Sequence, residues 1–120
     1  MIPAELTLPM VAPDDLGHLA AQLLMEPTPQ TRLVHGEGPA RHTFADVARA
    51  FASALGREVR LKVIPRDGWE PAFRSLGFSA EAARAYANMT AAAVDGPELP
   101  NDPLRGSTTL QAYVDALVQS

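Results

Sequence analysis

Eleven prolines punctuate a chain of 120 residues, and their positions limit how long any regular element can run. Proline lacks a backbone N–H and its ring clashes with the preceding helical turn, so each one confines helices and strands to the intervals between. Pro3, Pro9 and Pro13 break up the first stretch, which leaves Leu6 to Val11 as a short edge strand. From Asp14 or Asp15 the apolar residues Leu16, Leu19, Ala20, Leu23 and Leu24 recur at helical spacing. Acidic residues occupy the first turn, and capping accounts for the adjacent pair. This first helix ends near Glu26, ahead of Pro27 and Pro29.

Arg32 to His35, with Leu33 and Val34 at its centre, lies between that proline-rich turn and Gly36-Glu37-Gly38-Pro39, and is expected to be a brief buried strand. Thr43 then opens the clearest element. Thr43 with Asp46 forms a capping box, Phe44, Val47, Ala48, Phe51, Ala52 and Leu55 make an unbroken apolar stripe, and Gly56 is the C-cap. Glu58 to Ile64 alternates Val59, Leu61 and Val63 with Arg60 and Lys62, the period of a half-buried strand that Pro65 stops. Trp69, Ala72, Phe73 and Leu76 suit a short helix ending at Gly77, with Pro71 tolerated in its first turn. Ser79 caps an alanine-rich helix to about Val94, with Ala82, Ala83, Tyr86, Met89, Thr90 and Ala93 as its inner face.

Asp95 to Gly106, with Pro97, Pro100 and Pro103, reads as loop. Thr108 with Gln111 makes a second capping box for a final helix carrying Leu110, Tyr113, Val114, Leu117 and Val118. The expected fold is a single α/β domain over residues 1–120: a small layer of about three short, partly parallel strands with helices and a helical C-terminal half.

Composition excludes several function classes. A net charge of -4 argues against a nucleic-acid partner, and no long apolar run suggests a signal peptide or membrane span. With no cysteine there is no disulfide framework or thiolate chemistry, so the cytoplasm is the default compartment. Gly36-Glu37-Gly38-Pro39-Ala40-Arg41 follows a strand and precedes a helix as a dinucleotide-binding turn does. It fails that role, because Arg41 replaces the third glycine, Pro39 has no N–H to offer and Glu37 would repel a pyrophosphate. His35, Glu37 and His42 surround a turn without a fourth ligand, so no metal site is expected. Neither tyrosine has a lysine one helical turn on, and no serine sits in a nucleophile elbow. No catalytic residue and no cofactor is assigned.

One group of side chains stands out. Trp69, Phe73 and Phe78, with Tyr86 and Met89, concentrate apolar surface where two helices meet. Such a group is either an ordinary helix–helix core or the wall of a small-molecule pocket or partner surface, with Arg66 and Arg74 as polar anchors at its edge.

The run Val11-Ala12-Pro13-Asp14-Asp15-Leu16-Gly17 with Ala20 and Ala21, the run Leu33 to Arg41, and the helix Thr43 to Gly56 followed by Arg57-Glu58-Val59 appear in a characteristic order. With Pro65 to Phe73 and Thr108-Thr109-Leu110, they resemble the C-terminal portion of NmrA-like proteins, atypical members of the short-chain dehydrogenase/reductase superfamily. The resemblance spans essentially all 120 residues. It implies that this chain corresponds to the smaller, substrate-facing part, without the Rossmann half that binds NAD(P), so no nucleotide-binding residue carries over. By the same resemblance Met10 to Asp15 and the Trp69 to Tyr86 region would line the substrate side of a cleft. The strand at Leu33 would join a parallel sheet, and Val59 to Ile64 would pair near Leu8 to Val11.

Three functions follow as expectations. The first is a non-catalytic binding or interaction module that self-associates, or meets a partner chain, where the Rossmann half would sit. The second is the substrate-binding component of an NAD(P)H-dependent oxidoreductase whose nucleotide-binding half lies elsewhere. The third is a small regulatory protein. The candidate substrate or partner residues are Met10, Arg66, Trp69, Phe73, Phe78, Tyr86 and Met89.

Overall fold

The computed structural model describes residues 2–27, 30–96 and 99–120; Pro29 and Pro97, read above as breakers, lie outside the described residues. The N-terminal segment makes a turn in which the Leu6 N–H donates to the Pro3 carbonyl, and Leu8 then forms an antiparallel bridge with His42, with N···O distances of 2.8 and 3.0 Å. Helix α1 (Pro13–Met25) starts with proline at its first position, where a missing N–H costs nothing. Strand β1 (Gly36–Glu37) leads through a turn to α2 (Phe44–Leu55). A 3-10 turn (Arg66–Gly68) enters α3 (Trp69–Ser75), followed by α4 (Ala80–Val94), strand β2 (Leu104–Arg105) and α5 (Leu110–Gln119).

Helix α2 follows the local rules closely. The Thr43 hydroxyl accepts from the Asp46 N–H at 3.1 Å, the Asp46 carboxylate accepts from the Thr43 N–H at 2.9 Å, and Gly56 closes the helix at φ +67°. Ser79 caps α4 through the Ala82 N–H as expected. The cap of α5 is Thr109 rather than Thr108: its hydroxyl accepts from the Ala112 N–H, while Thr108 is bonded to Asp15 and Gln111 donates to the Ala50 carbonyl. Adjacent threonines fit the local pattern equally well, and the tertiary partner of Thr108 selects between them.

The strands depart from expectation. The sheet is a parallel pair of two residues each, Gly36 opposite Leu104 and Glu37 opposite Arg105, and β2 falls inside the segment read as loop. Residues 32–35 are not a strand, and Leu33 is 83% exposed rather than buried. Pairing begins at Gly36 because the clamps around Glu37 and Gly38, described below, set the register there. Residues 58–64 also form no strand, and Leu61 and Val63 are exposed. An alternating segment becomes a strand only against an edge it can pair with, and in this chain Leu8 pairs with His42 instead.

Two helix–helix seams carry the packing, α2 on α5 and α3 on α4. Ala50 and Val114 are buried on the first, and Trp69, Ala83 and Ala87 on the second. The inner face of α4 is therefore Ala83, Ala87 and Thr90, whereas Met89 and Tyr86, expected to point inward, are 59% and 45% exposed. Ala83 and Ala87 share that seam with the buried Trp69 of α3, and Tyr86 and Met89 lie at its margin. The Cα radius of gyration is 17.0 Å, against about 14 Å for a compact domain of this length. No helix among the described residues is long and apolar enough to cross a membrane.

Candidate functional site

Two buried carboxylates organise the region where the N-terminal segment, the β1–α2 turn and the start of α5 meet. Asp15, on the first turn of α1, does not cap its own helix. Its carboxylate accepts from the Thr108 N–H at 2.7 Å and from the Thr108 hydroxyl at 2.8 Å, tying α1 to the entry of α5 across 93 positions of sequence. Gly106 is required beside it, because a Cβ there would lie 2.5 Å from an Asp15 oxygen. The Thr108 backbone N–H, then its hydroxyl, hold the Asp15 carboxyl below the usual aspartate range.

Glu37 is 3% exposed and forms a two-pronged pair with Arg41, both N···O distances being 2.9 Å. Arg41 also donates to the Pro100 carbonyl, and Arg105 donates to the Gly38 carbonyl at 2.8 Å. The Arg41 hydrogen bonds, outweighing the penalty of burial, hold the Glu37 carboxyl below its ordinary range. The glycine-rich turn is thus engaged structurally. Gly38 donates to the Met10 carbonyl at 2.8 Å, and a Cβ on Gly38 would come within 2.5 Å of that oxygen. Among the described residues no three His, Asp or Glu side chains converge as metal ligands.

These clamps hold open a cleft of about 160 Å³. Met10, Val11 and Ala12 form one wall, Pro39 and Ala40 a second, and Leu110 with Tyr113 from α5 a third. His42, Thr108 and Thr109 supply its polar groups. A shallower groove continues past Pro39, His42 and Leu110 toward Asp46, Arg49 and Gln111. The Asp46 carboxyl lies below its usual range, held chiefly by the Thr43 N–H and then by Arg49.

Val11 and Ala12 of the Met10 to Asp15 run lie on this cleft, and of the seven candidate substrate or partner residues only Met10 does. The others gather on the α3–α4 hairpin. Phe73, Phe78 and Tyr86 pack on one another with ring centroids 5.0 to 5.5 Å apart. Trp69 is 3% exposed and donates its indole N–H to the Ile64 carbonyl at 2.9 Å. Arg66 lies 5.2 Å from the Trp69 ring centroid and pairs with Asp95. Met89 stays outside the ring cluster on the exposed side of α4. Sequence reasoning did not bring Pro39, Ala40, His42, Thr109, Leu110 and Tyr113 together around one cleft. They come from two distant segments, which the Asp15 and Glu37 clamps bring together with the α2–α5 seam, where Gln111 donates to the Ala50 carbonyl.

A third feature is an open groove of mixed character, where Leu19 and Leu23 of α1 and Leu33, Val34 and Leu104 lie among Glu26, Arg32, Asp102 and Arg105. Comparison with protein-family models, with curated proteins and with solved structures finds no match for this chain.

Proposed function

We propose that this chain is a non-catalytic interaction module, the substrate-side part of an NmrA-like fold, which docks against an α/β body through the groove beside β1 and β2. The observation that carries the reading is the parallel pair itself. Parallel strands are ordinarily buried on both faces within larger sheets, whereas this pair has two residues per strand and is flanked by an open groove in which leucines lie among charged side chains. Leu33, 83% exposed, stands on that groove. The expanded radius of gyration supports the same reading, since a completed layer would cover this side. On the sequence resemblance, that body would be a nucleotide-binding Rossmann half.

Sedimentation velocity and small-angle scattering at micromolar concentration test it. Self-association is expected for the chain alone, because copies cover the same face on each other, and Leu33→Glu is expected to reverse it. A monomer that scatters with the radius of a closed, compact domain overturns the reading. Tight calorimetric binding of NADPH to this chain alone would also overturn it.

A further inference from the structure

The cleft at the start of α5 is closed by residues of this chain alone, so what it can hold does not depend on the docking groove. From its size, walls and polar groups we infer that it binds a small neutral ligand made of one six-membered ring bearing a single hydroxyl.

Size sets the first limit. A cleft of about 160 Å³ matches the roughly 150 Å³ apolar cavity that accepts a benzene ring, so one ring fills it. The walls set the second. Met10 offers a polarisable thioether that conforms to an aromatic edge, and Tyr113 offers a ring face. No Asp, Glu, Lys or Arg side chain lines the cleft. The nearest carboxylate behind it, Asp15, is fully engaged by Thr108, and Arg49 in the adjoining groove is paired with Asp46. A charged ligand would therefore lose its hydration without gaining a counter-charge.

The polar groups set the third limit. The Thr108 hydroxyl already donates to Asp15, but the Thr109 oxygen only accepts, from the Ala112 N–H, which leaves its own O–H as a donor. His42 Nδ1 lies 3.6 Å from an Asp46 carboxylate oxygen. In the neutral tautomer that carries its proton on Nδ1, facing that oxygen, Nε2 is an acceptor. One donor and one acceptor at the rim of an apolar cleft complement a hydroxyl, which both accepts and donates. A ketone or ether would meet only the donor.

Titration of the ¹⁵N-labelled full chain with benzyl alcohol, followed by amide shifts, tests the site. Saturable shifts are expected at Ala40, Thr109, Leu110 and Tyr113, with a dissociation constant of about a millimolar for so small a ligand. Benzoate, benzylammonium and toluene should bind at least tenfold more weakly. Ala40→Leu, at an exposed turn position, fills the cleft and should abolish the shifts. His42→Phe should remove the preference for benzyl alcohol over toluene. Absence of saturable shifts up to the solubility limit overturns the inference. So does equal binding of the two charged analogues to the native chain, a comparison that stands even if a variant fails to fold. Oligomeric state is measured in the same samples, so a failed docking face and an empty cleft give separate signatures.

Discussion

Truncating Val114 to alanine should loosen one helix–helix seam and spare the other. Val114 is 2% exposed on α5 and sits at the seam with α2. Removing its two outer carbons forfeits a transfer term of about 1.6 kcal/mol, at about 0.8 kcal/mol per buried carbon. The hole left between two helices adds a cavity term, so the total is about 2–3 kcal/mol. A ten-residue helix has little stability of its own, so α5 depends on this contact to stay folded. Trp69, the chain's one tryptophan, reports on the α3–α4 seam instead. Urea unfolding followed by far-ultraviolet circular dichroism and by Trp69 fluorescence separates the two. With a urea slope of 1–3 kcal/mol per molar, helix loss from α2 and α5 should begin about 1–2 M earlier in Val114→Ala, while the fluorescence midpoint stays in place. A destabilisation below about 1 kcal/mol, or an equal shift in both signals, would refute the assignment of two separately packed seams.

Other perturbations address the clamps. Asp15 and Glu37 titrate below their ordinary values when folded, so the unfolded chain takes up protons first. The stability they contribute is therefore present above the ordinary carboxylate range, near pH 4–4.5, and lost as pH falls through their folded values. Urea midpoints at pH 7, 5 and 3.5 should be nearly level between the first two and drop at the third, with a shallower drop in Glu37→Gln. Gly38→Ala places a Cβ against the backbone carbonyl of Met10, which has no rotamer to yield. About 1–3 kcal/mol of stability should be lost, with amide shifts centred on Met10 and Val11. Arg66→Ala removes an ion pair whose side chains are both more than half exposed. The change in unfolding free energy should stay below about 1 kcal/mol, although Trp69 emission shifts because the guanidinium leaves its ring.

The helices were legible because their signals are local. Thr43, Asp46 and Gly56 bound α2 through groups within hydrogen-bonding reach of their own backbone, and the structure returns that helix nearly to the residue. The aromatic group on α3 and α4 was legible for the same reason, since Phe73, Phe78 and Tyr86 lie within 14 positions of one another. The cleft was not. Pro39 and Ala40 carry no pattern of their own, and Thr109 became a cap and a candidate donor only because Asp15 claimed Thr108.

The strands mark the boundary between what the chain's own order decides and what its fold decides. Prolines, caps and apolar spacing determine where helices start and stop, because each rests on contacts within one or two turns. A strand has no such autonomy, as its hydrogen bonds go to another segment. Val59 to Ile64 holds a clear alternating pattern and remains unpaired, while Leu104 and Arg105 hold almost none and form β2. What selected them was tertiary: Arg41, paired with Glu37, reaching the Pro100 carbonyl, Arg105 reaching the Gly38 carbonyl, and Asp15 drawing Thr108 against α1. Those long-range hydrogen bonds to buried carboxylates and close-approach glycines decide the register of the sheet and the shape of the cleft.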